Sequence, residues 1–208
     1  MFIATHNTMT YLPPKQWYLK PFAFLAKCQR LAYQEQYEMG ARGFYLRLYW
    51  NHDGTLNFKH GFFKYSAKDI YDVLKFADEH HMIVRVLLEI RGKYISNNPK
   101  TYSKHMFQSG MFYNFCEKIE AQYPNIKFYG GKTTGDWTLI YNFCNEIKQI
   151  DMYSSTTSFF KSDNYFLRII DDWWPWLYAI LHNKSNIKKC INNGNTDGYL
   201  MIDFIDIQ

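Results

Sequence analysis

Apolar and polar positions follow two rhythms along this chain, and the switches between them mark its elements. Phe2–Thr5 is a short apolar run that predicts a strand, with His6 and Asn7 just past it. Thr8–Pro14 reads as a loop closed by Pro13-Pro14. Phe24, Leu25, Cys28, Leu31 and Ala32 recur at helical spacing, so Gln16–Met39 is expected to be helix, with Gly40 as its cap. Gly43–Leu48 and Leu56–Lys59 are expected strands, and Asn51-His52-Asp53-Gly54 between them is turn chemistry.

Ser66-Ala67-Lys68-Asp69 has the pattern of a capping box and predicts a helix to about His80. Ile83–Ile90 is nearly continuous Val, Leu and Ile, as in a strand buried on both faces. Pro99–Ser109 reads as loop, Met111–Tyr123 as helix ended by Pro124, and Lys127–Tyr129 as strand. Asp136 starts an expected helix to Ile147, and Ile150–Ser154 is the next strand. Asn164–Cys190 is mostly helical with a break near Pro175, and Tyr199–Ile205 is the last strand.

Strand and helix alternate without a repeat or a shift in composition, which argues for one α/β domain over residues 1–208 with a parallel sheet. Repetition of this unit points to a compact (β/α)8 TIM-type barrel, with about seven strands read. A doubly wound open sheet is the alternative, but no G-x-G-x-x-G follows the first strand.

Composition narrows the classes. The net charge of +5 arises from 24 Lys and Arg against 19 Asp and Glu, scattered rather than blocked, so no nucleic-acid arm is expected. Cys28, Cys116, Cys144 and Cys190 form no C-x-x-C, and buried thiols are expected rather than two disulfides. No signal-like leader and no apolar run of about 18 residues appears, so a soluble monomer is expected, cytoplasmic or peripheral to a membrane. Trp173-Trp174-Pro175-Trp176 suits either a headgroup layer or packing on a barrel.

Chemistry-bearing residues gather at strand ends, where barrels place their active sites: His6, Arg47 and His60 early, Asp203 late. Two imidazoles and a guanidinium suit phosphodiester cleavage. A neutral His takes a proton, a protonated His gives one, and Arg holds the phosphoryl oxygens. The bland alternatives are a buried salt bridge from Arg47 to Asp203 or Glu89, and loop histidines. Lys132, after Gly130-Gly131, is a further candidate phosphate contact.

The set HNTMTY, then Gln29, Gln36 and Gly40 ahead of GARGFYLRL, then LNFKHG, resembles the catalytic X region of phosphatidylinositol-specific phospholipases C. The closing GYLMIDFID resembles the last barrel strand of the bacterial enzymes. The resemblance is clearest over residues 1–90 and 198–206. It implies His6 as general base for the inositol 2-hydroxyl, His60 as general acid, Arg47 in place of a metal, and Asp203 paired with His6. The implied products are diacylglycerol and a cyclic inositol phosphate. Bacterial members usually carry Asp where this chain has Asn7 and Tyr45. Calcium-dependent members use carboxylates at the positions of Tyr45 and Arg47, with Glu89 at a further ligand position. The resemblance therefore implies no cofactor, calcium being disfavoured. Alternatives are a weakened barrel that binds phosphoinositide without turnover, and a calcium-dependent phosphodiesterase of another substrate.

Overall fold

Parallel pairing between the first and last strands organises the structure. The computed structural model describes residues 2–88, 99–128, 152–154, 164–166, 169, 174–192 and 199–207. It is a mixed α/β fold in two compact units, Met1–Tyr45 with Ile150–Gln208, and Leu46–Gln149.

In the first unit, β1 (Phe2–Thr5) lies between β2 (Ala41–Trp50) and the last strand, β8 (Tyr199–Ile202), parallel to both. Another strand, β7 (Met152–Ser154), continues the sheet in parallel beyond β8. All four β8 residues are buried, as expected of a parallel strand covered on both faces. Gly43 of β2 allows a close approach: a Cβ there would sit 3.0 Å from the Ala4 Cβ and 3.3 Å from the Tyr199 ring. The helix α4 (Pro175–Asn192) packs against β8.

In the second unit, the later residues of β2 pair antiparallel with β3 (Leu56–His60), and β3 pairs antiparallel with β4 (Phe63–Ser66). The all-parallel expectation fails there. Helix α2 (Ile70–Glu79) buries Ile70, Val73, Leu74 and Ala77, a stripe at helical spacing. Strand β5 (Ile83–Leu88) pairs with β2 and, in parallel, with β6 (Lys127–Phe128). Helix α3 (Pro99–Gln122) docks on the end of β2. There Gln108 Oε1 accepts from the Trp50 N–H at 2.9 Å, and the Gln108 amide donates to the Trp50 carbonyl.

Several expected elements differ, each for a local reason. The single helix over 16–39 is a 3-10 segment (Trp17–Leu25), a break, and the short helix α1 (Tyr33–Glu38). Pro21 lies inside the 3-10 segment, where its missing N–H and ring oppose a continuous α-helix. None of that segment's residues is buried. Residues 8–11 form a 3-10 turn within the expected loop. Ser66 ends a strand instead of capping a helix, and α2 begins after Asp69. Residues 99–109 are helix, not loop, because Gln108, Phe112 and Cys116 sit one turn apart on a buried face.

Cys28, Cys116 and Cys190 are buried free thiols. Cys144, Trp173 and the expected helix over 136–147 lie outside the described residues. Among the described residues, no helix is long and apolar enough to cross a membrane.

Gly43→Val is expected to destabilise the protein by about 1–3 kcal/mol, since overpacking pushes β1 and Tyr199 off β2. Urea unfolding against wild type measures it.

Candidate active site

Register alone brings the chain's two ends together. Thr5 of β1 is the cross-strand partner of Ile202 of β8, and His6 and Asp203 are the next residue on each. The His6 N–H extends the ladder by donating to the Ile202 carbonyl at 2.9 Å. Beyond it, His6 Nδ1 lies 2.7 Å from Asp203 Oδ1. Both side chains are almost wholly buried, at 8 % and 4 % exposure. A charge-assisted bond in such a setting is stronger than in water. With Nδ1–H donated to the carboxylate, neutral His6 carries its lone pair on Nε2. The Asn7 amide Nδ2 lies 3.1 Å from Nε2 and donates to it, so one tautomer satisfies both contacts.

Asn7 reaches this position from a left-handed backbone, φ 46° and ψ 54°. Asn is among the few non-glycine residues that tolerate that region. Its carbonyl accepts from both the N–H and the hydroxyl of Thr10, each at 2.9 Å, which closes the turn. Thr8 fastens the turn to the sheet: its hydroxyl accepts from the Tyr45 N–H at 2.9 Å. The Tyr45 ring lies 5.4 Å from the His6 ring, centroid to centroid.

A buried glutamine clamps the two strand ends. Gln29 donates from Nε2 to the Ile202 carbonyl at 2.9 Å and to the His6 carbonyl at 3.3 Å, and its Oε1 accepts from the Ile205 N–H at 3.1 Å. Gln36 likewise donates to the Thr8 carbonyl at 2.9 Å. The Phe204 N–H donates to the Cys28 carbonyl at 2.6 Å, and Asn183 Nδ2 donates to the Asp203 carbonyl at 2.7 Å. His6 and Asp203 are thus held through their backbones as well as their side chains. Cys28 Sγ lies 3.4 Å from Asn7 Nδ2, which places a thiol beside the imidazole.

The structure brings together His6, Asn7, Tyr45 and Asp203 in the first unit. Asp203 pairs with His6. Asn7 contacts His6. Arg47 and His60 belong to the second unit. Arg47 is half-buried on β2. His60, also half-buried, ends β3 at the hairpin into β4, where Gly61 takes φ 58°. Glu89 and Lys132 lie outside the described residues. Sequence reading missed Cys28, expected only as a packed thiol, and the clamping role of Gln29. Neither has a local signal, because both act through partners distant in sequence.

No protein-family model matches the chain, and no curated protein does. Solved structures do. One is the phosphatidylinositol-specific phospholipase C from Listeria monocytogenes, at 16 % identity and a TM-score of 0.53 over 98 % of this chain and 88 % of that one. Another is a double mutant of the S. aureus phosphatidylinositol-specific phospholipase C, at 14 % identity and TM-score 0.53 over 97 % and 84 %. The fold is phosphatidylinositol-specific phospholipase C-like. At this identity the likeness speaks for the fold, and the chemistry rests on the residues described above.

Gln29→Leu is expected to cost about 2–4 kcal/mol, since it removes three buried hydrogen bonds to the two strand ends and leaves the Ile205 N–H without its Gln29 acceptor. Guanidinium unfolding monitored by tryptophan fluorescence measures it.

Proposed function

We propose that the protein is a phosphatidylinositol-specific phospholipase C-like phosphodiesterase, a single domain over residues 1–208 built on a (β/α) barrel. The observation that carries the reading is the buried 2.7 Å contact between His6 Nδ1 and Asp203 Oδ1. It presents Nε2 as a base, in the manner of the histidine and aspartate of a catalytic triad. The fold likeness supports the same substrate class.

In this reading, His6 Nε2 takes the proton of the inositol 2-hydroxyl. That oxygen attacks phosphorus, and the bond to the glycerol oxygen breaks. His60 gives its proton to the departing diacylglycerol oxygen, leaving a cyclic inositol phosphate. Arg47 stabilises the charge that builds on the phosphoryl oxygens. Asn7 Nδ2 occupies the lone pair of Nε2 until the hydroxyl replaces it. Tyr45 flanks His6, and Glu89 and Lys132 are proposed outer contacts to substrate. Turnover needs no metal in this reading. With Tyr45 and Arg47 where calcium-dependent members carry carboxylates, the chain offers too few hard oxygen ligands for calcium.

Access to a lipid substrate fits a monomer in peripheral contact with membranes. Trp17, Tyr18, Phe22 and Phe24 are exposed on the 3-10 segment beside exposed Lys15 and Lys20, and Trp174 and Trp176 are exposed near the start of α4. Amphipathic aromatics with lysines favour the headgroup layer. The second reading, a phosphoinositide-binding barrel without turnover, draws on the Asn7 amide that caps Nε2.

The test is incubation with phosphatidylinositol vesicles, with and without chelator. Chelator-resistant release of diacylglycerol is expected. His6→Ala and His60→Ala should each lower turnover by about 10²–10⁴-fold. Asp203→Asn should lower it by up to about 10⁴-fold while circular dichroism stays native. Wild-type rates in either His6→Ala or Asp203→Asn contradict the proposal, and vesicle binding without any product favours the second reading.

A further inference from the structure

Three side chains of different chemistry converge at the end of β1. One imidazole nitrogen of His6, the Cys28 thiol and an Asp203 carboxylate oxygen all lie within 4.8 Å of one another, and all three residues are buried. The phosphodiesterase reading uses the imidazole and the carboxylate but gives the thiol nothing to do. A second observation falls at the same place. Asn7 is 3 % exposed, and its Oδ1 is buried with no hydrogen-bond partner. Such an orphan is uncommon in a folded protein and wants an explanation.

We propose that His6, Cys28 and Asp203 form a binding site for a thiophilic divalent cation, zinc in the first instance, and that its occupation switches off the base. The donor set decides the metal. One nitrogen, one sulfur and one carboxylate oxygen suit zinc, whereas calcium and magnesium require shells of oxygen. Charge also balances, since a thiolate and a carboxylate neutralise the dication where an unpaired charge would be costly.

The geometry needs little movement. Tetrahedral zinc bonds of about 2.0–2.3 Å set its ligand atoms roughly 3.3–3.7 Å apart. One nitrogen of His6, the Cys28 sulfur and an Asp203 oxygen now lie no more than 4.8 Å apart, and His6 Nδ1 and Asp203 Oδ1 lie 2.7 Å apart. Binding opens the first pair by roughly 0.6 Å and draws the thiol in by up to about 1 Å. The fourth position takes water.

The proton inventory is explicit. The thiol loses its proton to solvent. His6 stays neutral, but its proton moves from Nδ1, now on the metal, to Nε2. Metal-bound histidines donate their other N–H to a fixed acceptor. Asn7 supplies one once its carboxamide turns to present the orphan Oδ1. With Nε2 protonated, His6 no longer accepts a proton from a hydroxyl. Loss of turnover therefore follows from the tautomer change. That consequence rests on the reading of His6 as the base, whereas the binding itself does not.

Cobalt(II) tests the site separately from the reaction. Titration of the full-length protein is expected to give a near-ultraviolet thiolate-to-cobalt charge-transfer band that saturates at one equivalent and is displaced by zinc. Cys28→Ser should abolish the band, and Cys116→Ser and Cys190→Ser should keep it. Cys28→Ala provides the same test if the serine variant fails to fold by circular dichroism. A band that survives both Cys28 variants, or no band in the wild-type protein, overturns the site. In the vesicle assay, zinc should suppress turnover reversibly with chelator, and Cys28→Ser should raise the half-inhibiting zinc concentration at least about tenfold. Saturation of the cobalt band with turnover unaffected would keep the site and overturn the switch, and with it the role of His6 as base.

Discussion

Parallel pairing of β1 with β8 is the constraint from which the site follows. Two residues 197 positions apart become neighbours because Thr5 and Ile202 share a register. A slip of one residue would turn His6 and Asp203 to opposite faces, since side chains alternate along a strand. The register is held in turn by the buried residues of β8, by the His6 N–H on the Ile202 carbonyl, and by Gln29 bridging both strand ends. A buried carboxylate is costly unless paired, so the fold and the dyad support each other.

The loop after β1 shows how a short segment is made rigid without regular structure. Asn7 takes a left-handed backbone, Thr10 closes the turn, and Thr8 ties it to β2. Thr10 also accepts from the Cys28 and Gln29 N–H groups, which fixes the 26–31 loop against the same turn. Preorganisation of this kind keeps an imidazole aimed at one position, which is what proton transfer requires. The same closeness sets a thiol beside the imidazole, so an arrangement that favours base chemistry also resembles a soft-metal ligand set.

Much of this was legible in the sequence, for physical reasons. Short apolar runs, one followed by His6 and one carrying Asp203 late within Tyr199–Ile205, read as strands delivering chemistry; the last strand in fact ends at Ile202, and its parallel pairing with the first makes His6 and Asp203 adjacent. Residues whose partners are remote were harder to read. Cys28 looks like an ordinary position in a helix, and Gln29 like a motif residue without a stated role, until β8 is laid beside them. Helix α3 was legible only in its second half, because its first half is polar and is anchored by Gln108 to the β2 backbone rather than by an apolar stripe. The 16–39 segment misled in the opposite direction: its aromatics suggested a buried helical face, but Pro21 breaks the helix and the rings face solvent.

The most direct measurement of the central claim is nitrogen-15 NMR of the His6 imidazole in the wild-type protein and in Asp203→Asn. The account predicts a neutral ring protonated at Nδ1 in the wild type, with a slowly exchanging Nδ1–H that disappears when the carboxylate becomes an amide. A ring protonated at Nε2, or one indifferent to the substitution, would contradict it.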